Sequence, residues 1–132
     1  MSGLLMLDTN ALSAVIKGRS PALDQRLINE RFCISVVTEA EIRFGLARRL
    51  QKAEFSALVE DVLTSIDIRP WTSVTARRYG PLRAELAALG KPLAPLDLMI
   101  AAHALAEGAT LITADSAFGQ VPGLALQDYD QT

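Results

Sequence analysis

Short apolar runs alternate along this chain with longer segments whose apolar residues recur at helical spacing. Leu4-Leu5-Met6-Leu7 is a continuous apolar run that ends at Asp8, the pattern of a buried strand. Thr9 or Asn10 then caps a helix to about Ile16, and Gly18 stops it. Ser20-Pro21 opens a second helix, with proline at the first helical position and Leu23, Leu27 and Ile28 along one face. Phe32 to Val37 reads as the second strand. Thr38 opens a helix with the stripe Ile42, Leu46 and Leu50, and another, over about 52–63, shows Phe55, Leu58, Val59 and Val62. Ser65 to Ile68 is a short third strand, closed by Pro70. Thr72 caps a long helix to about Leu89, in which Pro81 predicts a kink or break. Pro95 starts the most apolar helix, which runs to Glu107 and stops at Gly108. Leu111-Ile112-Thr113 and Leu124-Ala125-Leu126 bring the strands to five, with a short turn at Asp115 to Phe118 between them.

Strands that alternate with helices argue an α/β fold with a doubly wound parallel sheet. No repeat, low-complexity stretch or linker divides the chain, so one domain is expected over residues 1–132. Composition narrows the class. Half the residues are hydrophobic and 21% are charged, which excludes intrinsic disorder. The lone Cys33 sits inside an apolar run, so it reads as a small core residue in a chain without a disulfide framework. Met1-Ser2-Gly3 lacks the basic start of a signal peptide. No apolar run approaches the roughly 18–20 residues that span a bilayer. A cytoplasmic protein that does not contact membranes is expected. The net charge of −2 gives no basic footprint for nucleic acid, yet ten of the thirteen basic residues are arginines, suited to forked contacts with phosphate.

Direction places four acids together. In a doubly wound sheet ligands bind at the carboxyl ends of the strands, and crossover helices run antiparallel to the strands, so helix N-termini lie at that same edge. Asp8 ends the first strand, Asp115 follows the fourth, Glu41 begins the helix after the second, and Asp97 lies in the first turn of the helix that precedes the fourth. Each also has a structural role open to it. Thr38-x-x-Glu41 fits a capping box, Asp97 favours a helix dipole, Asp115 suits a short helix cap and Asp8 an Asx-turn. None of those roles predicts that all four share one edge. Converging carboxylates repel unless a divalent cation holds them, and hard cations take oxygen ligands. Four acids exceed the needs of one Mg²⁺, so some act through water or two ions sit together, as in many nucleases. The chemistry implied is attack of activated water on a phosphodiester.

Leu7-Asp8-Thr9-Asn10-Ala11-Leu12-Ser13 resembles the opening motif of PIN-domain ribonucleases, specifically the VapC toxins of type II toxin–antitoxin pairs. Ser35 to Gly45, with Glu41 at the acidic position, resembles the second motif. Gly90-Lys91-Pro92 followed by Asp97 to Ala104 resembles the third, and Leu111 to Asp115 with Phe118 and Val121 to Leu124 the last. The resemblance implies a three-layer α/β/α sandwich with a short, mostly parallel five-stranded sheet. It further implies Mg²⁺- or Mn²⁺-dependent endonucleolytic cleavage of structured RNA such as tRNA, a homodimer able to enter a larger toxin–antitoxin assembly, and inhibition by a VapB-like antitoxin. Carried over by position, Asp8 and Asp97 are the direct metal ligands, Glu41 and Asp115 complete the catalytic pocket, and Asn10 and Thr113 support it. Ala114 departs from the pattern, where relatives often carry a polar residue, and leaves the fourth acid the least firm.

Competing readings are a PIN module with a non-toxin RNA-processing or non-catalytic binding role, and a receiver-type signalling domain. The second needs paired acids after the first strand and a lysine after the last, and the chain has lysines only at 17, 52 and 91. His103 lies well round the helix from Asp97, so it reads as structural, and Trp71 as a packing residue. Arg43, Arg48, Arg49, Arg77, Arg78 and Arg83 form solvated faces, of which those near the pocket could steer phosphates. In the family a groove among the early helices receives the antitoxin.

Overall fold

The computed structural model describes residues 3–129; Met1, Ser2 and Asp130 to Thr132, the ends of the expected domain, lie outside the described residues. The elements run β1 (Leu5–Leu7), α1 (Thr9–Ile16), α2 (Pro21–Asn29), β2 (Phe32–Ser35), α3 (Val36–Ala47), α4 (Ala53–Ser65), β3 (Ile68–Arg69), α5 (Ser73–Ala88), α6 (Pro95–Glu107), β4 (Thr110–Ile112), a one-turn 3₁₀ helix (Ser116–Gln120) and β5 (Leu126–Gln127). The strand order is β3-β2-β1-β4-β5. All four pairings are parallel, so the sheet has no antiparallel member among the described residues.

The alternation of side chains along β1 explains the three layers. Leu5 and Leu7 point into a core with Leu12, Leu23, Val59 and Leu63 from α1, α2 and α4. Leu4 and Met6 point the other way, into a core with Leu82, Leu86, Leu98 and Ile100 from α5 and α6. Both faces of the central strand are therefore dry, which is why it reads as a continuous apolar run rather than an alternating one. Leu12 is fully buried, and its truncation to alanine would cost about 2–5 kcal/mol. Helix α3 spans both layers: Val37 joins the α5/α6 core, and Ile42 and Leu46 pack against the other.

Several local expectations give way to stronger local chemistry. The second strand stops at Ser35, not Val37, because the Ser35 hydroxyl accepts from the Val37 N–H at 3.0 Å and starts α3 there. The β-branched pair Val36-Val37 reads as strand but is the first turn of that helix. Thr38 consequently lies inside the helix, with its hydroxyl buried and unpaired, and the capping box with Glu41 does not form. Helix α1 is capped by Asp8 itself rather than by Thr9 or Asn10. Helix α3 ends at Ala47, and Leu50 stands fully exposed instead of joining its stripe. Helix α4 runs on to Ser65 and displaces β3 to Ile68–Arg69. Helix α5 continues through Pro81 without the expected break. Pro81 and Arg77, whose carbonyl loses its partner, both lie on the exposed side, where water serves that carbonyl. A turn through Gly123, at φ 76°, carries β5 on to Leu126–Gln127.

His103 sits at the centre of the α6 core, fully buried, as a structural residue. Its Nδ1 lies 2.7 Å from the Ser35 hydroxyl, and its ring meets Trp71 edge-on at 5.6 Å. Burial holds it below the ordinary histidine range, against the pull of Glu107, whose carboxylate is 3.9 Å from Nε2. A depressed histidine is neutral in the fold and protonated more readily in the unfolded chain. Its contribution is therefore present above the unfolded histidine range and is lost as pH falls through it. Urea unfolding at pH 7 and pH 5.5 is expected to show a drop in midpoint for wild type that His103→Gln lacks; equal drops would assign the loss to other groups.

Cys33 is buried on β2, and burial pushes its thiol up to about 12, as a packing residue requires. Among the described residues no helix is long and apolar enough to cross a membrane.

Candidate active site

The strand order reverses at β1, with β2 and β3 to one side and β4 and β5 to the other. That switch point opens a crevice at the carboxyl ends of β1 and β4, and hydrogen bonds of the backbone fix its floor. The Asp8 N–H donates to the Ile112 carbonyl at 3.1 Å, and the Thr113 N–H donates to the Gln127 carbonyl at 3.0 Å. The residues immediately after β1 and β4 are thus held in register by the sheet itself.

Asp8 is buried, and its Oδ1 accepts from the Ala11 N–H at 2.8 Å as the cap of α1. Burial raises its carboxyl above the ordinary range; hydrogen bonds from Thr113 and Ala11 oppose this, and the charges of Asp115 and Glu41 add to it. Asp97 is the third residue of α6 and half-buried. Its carboxyl is raised first by burial, then by Glu41, Asp115 and Asp8, and nothing around it acts in the opposite direction.

Glu41 lies half-buried on α3, and one of its oxygens accepts the hydroxyl proton of Thr9. Asp115 is exposed and caps the 3₁₀ turn, its Oδ1 accepting from the Ala117 N–H at 2.9 Å. Its own N–H donates to the Thr113 hydroxyl at 3.0 Å. The four acids therefore share one electrostatic site, and two of them, Asp8 and Asp115, also perform the capping work open to them individually. No arginine or lysine forms an ion pair with any of the four among the described residues.

Thr113 stands between Asp8 and Asp115, as expected of a supporting residue. Asn10 is exposed on α1 and lines the groove that also holds Thr9 and Glu41. Two residues escaped the sequence reading. Thr9, taken there as a helix cap, anchors Glu41 across 32 positions. Ser35, taken as a strand residue, caps α3 and so sets the turn on which Glu41 sits. A serine directly before a β-branched pair was the available signal for the second.

Among the described residues no three His, Cys, Asp or Glu side chains stand close enough to grip one ion. Three of the carboxylates are instead held by protein donors. The donor set is nevertheless all oxygen, strongly anionic and free of paired bases, which fits a hard divalent cation and no softer metal.

A groove of about 480 Å³ leads from Glu41 between α1, α3 and α4, with Ile42, Leu46, Phe55 and Val59 on its apolar side and Lys17, Arg48 and Arg49 on its rim. A second hollow of about 400 Å³ lies on the other side of α3, between Phe44 and Leu96.

A parallel α/β domain with an acidic crevice at its switch point defines the class. The PIN domain model matches residues 5–124. The chain is 33% identical to the tRNA(fMet)-specific endonuclease VapC of Salmonella typhimurium, over 94% of this chain and 96% of that one. It is 30% identical to Ribonuclease VapC2 of Rickettsia felis, over 97% and 99%. The crystal structure of DNA-bound VapBC from Salmonella typhimurium superposes with a TM-score of 0.88 at 33% identity, covering 95% and 97%. The chain belongs to the PIN-domain family, in its VapC ribonuclease branch.

Proposed function

We propose that this protein is a divalent-metal-dependent endoribonuclease toxin that hydrolyses phosphodiester bonds of structured RNA and is restrained by a VapB-like antitoxin. The carrying observation is the Asp97 carboxyl, surrounded by three acids with no compensating donor. Mg²⁺ is the ion we assign, with Mn²⁺ as its substitute. Asp8 and Asp97 would hold it, with Glu41 and Asp115 as the further ligands, directly or through water. When bound, the ion polarises the phosphate and acidifies a water.

The protein's own part is positioning. The Ala11 N–H and Thr113 hold the Asp8 carboxylate in one orientation, and Thr9 does the same for Glu41. Raised carboxyls at Asp8 and Asp97 are anions made costly by the fold, which sharpens their preference for a cation over solvent. The names of the relatives support RNA, and tRNA in particular, as substrate. The VapBC assembly of the structural relative supports an antitoxin partner, for which the groove between α1, α3 and α4 offers an apolar seat that ends at Glu41. A homodimer, joined into a larger assembly by the antitoxin, completes the proposal.

The test is incubation of purified protein with bulk tRNA and Mg²⁺ or Mn²⁺. Discrete fragments are expected with either ion and none with EDTA. Cleavage undiminished by EDTA, or inertness with every divalent ion and RNA tried, would remove the enzyme reading.

A further inference from the structure

The hollow between α3 and the start of α6 has a composition that the acid pocket does not explain. It is lined by Thr9 and Glu41 at the pocket, then by Ala40, Phe44, Gly45, Arg48 and Leu96. Phe44 is 65% exposed and Leu96 47% exposed, two large apolar side chains beside the most anionic part of the surface. Arg48 lies over the Phe44 ring, with its guanidinium carbon 5.6 Å from the centroid. Three other arginines are tied to carboxylates, Arg26 to Glu30, Arg43 to Glu39 and Glu60, and Arg69 to Asp67 and Glu107; what sets Arg48 apart is its place beside the Phe44 ring at the edge of the acid pocket. Arg48 has no such ion pair among the described residues, and its charge is left for a ligand.

An exposed ring, a guanidinium over it and a further apolar side chain lining the same hollow suit a nucleobase and its phosphate. Bases stack on aromatic faces whatever their sequence, and arginine adds a cation–π contact and a forked phosphate donor. We infer that Phe44, with Arg48 over its ring and Leu96 lining the same hollow, seats one nucleobase of the RNA beside the phosphodiester that is cut. The inference rests on the nuclease reading and adds the residue that positions the substrate. An apolar segment of a protein partner is the competing occupant. Arg48 favours RNA, because stacked on the ring it offers a charge that such a segment does not use.

The experiment compares wild type, Phe44→Ala, Phe44→Leu and Phe44→Trp, all at an exposed position where folding is not at stake. Binding of bulk tRNA is measured by filter retention in an Asp97→Asn background, and KM and kcat for bulk tRNA are measured separately in the active protein. Stacking predicts that alanine and leucine each raise Kd and KM by about tenfold with kcat kept, and that tryptophan restores wild-type values. Tryptophan fluorescence in the last variant is expected to be quenched by tRNA. Unchanged Kd and KM in the alanine and leucine variants would overturn the inference while leaving the nuclease reading intact. So would a result in which leucine matches wild type and only alanine fails, or in which only antitoxin binding is lost, since those mark an apolar protein contact. If wild type neither binds nor cleaves tRNA, the nuclease reading falls and takes the platform with it.

Discussion

Asp97→Asn is expected to lower RNA cleavage by more than about a hundredfold and, in the same molecule, to raise the melting temperature of the metal-free protein. The first effect follows from the position of Asp97 as an assigned ligand: even residues that merely support a metal ligand typically cost 10–100-fold when changed. The second follows from its surroundings. Burial and three neighbouring acids all raise the Asp97 carboxyl, so the fold opposes its charge despite the helix N-terminus. Asparagine keeps the shape and removes the charge. Asp97 is half-exposed, so solvent screens part of the repulsion, and relief of about 0.5–1 kcal/mol is the reasonable scale. For a domain of this size that is a rise of about 2–4 °C. Mg²⁺ should then raise the melting temperature of wild type, by mass action on the folded state, and leave the variant nearly unmoved. Thermal scans with EDTA and with Mg²⁺, run beside the cleavage assay, check all three statements. A less stable Asp97→Asn protein in EDTA would mean that the acids do not oppose one another as described.

Asp8, Glu41, Asp97 and Asp115 were legible because strand direction and helix direction are global properties of a parallel sheet. Errors of two or three residues in an element's ends do not move an acid to the other edge. The family motifs carried the same four positions. What stayed illegible depends on single side-chain contacts. Val36-Val37 reads equally well as strand or helix, and only the Ser35 hydroxyl decides between them. The hydroxyl of Thr9 meets Glu41 across a gap in sequence that no local pattern spans. Pro81 does not break α5: proline removes one helix hydrogen bond, and its place on the exposed side of the helix makes that loss tolerable. The hollow beside Phe44 was invisible for a different reason. An exposed phenylalanine is unremarkable in a sequence, and its meaning comes from Arg48 over its ring and Leu96 in the same hollow.

Gly45→Trp is expected to give a folded protein, at least as stable as wild type, that the antitoxin no longer restrains. Gly45 is an internal residue of α3 with ordinary helical backbone, and a Cβ added there meets nothing within 4 Å. Glycine in a helix interior costs about 0.5–1 kcal/mol relative to alanine, and tryptophan recovers part of that. The same bareness leaves room in the groove between α1, α3 and α4, whose lining includes Gly45 next to Leu46 and Ile42. An indole placed there occupies the seat proposed for the antitoxin without disturbing either core cluster, neither of which includes Gly45. Affinity for the co-expressed antitoxin should fall at least tenfold, read by co-purification and by calorimetry. Gly45 also borders the hollow beside Phe44, so cleavage of tRNA should weaken, but it should persist because the four acids are untouched. In cells the consequence is asymmetric: growth arrest by wild type is relieved by the antitoxin, and arrest by the variant is not. A Gly45→Trp protein that binds antitoxin at wild-type strength would exclude this groove as the seat of the partner, and would do so without touching the assignment of the acid pocket.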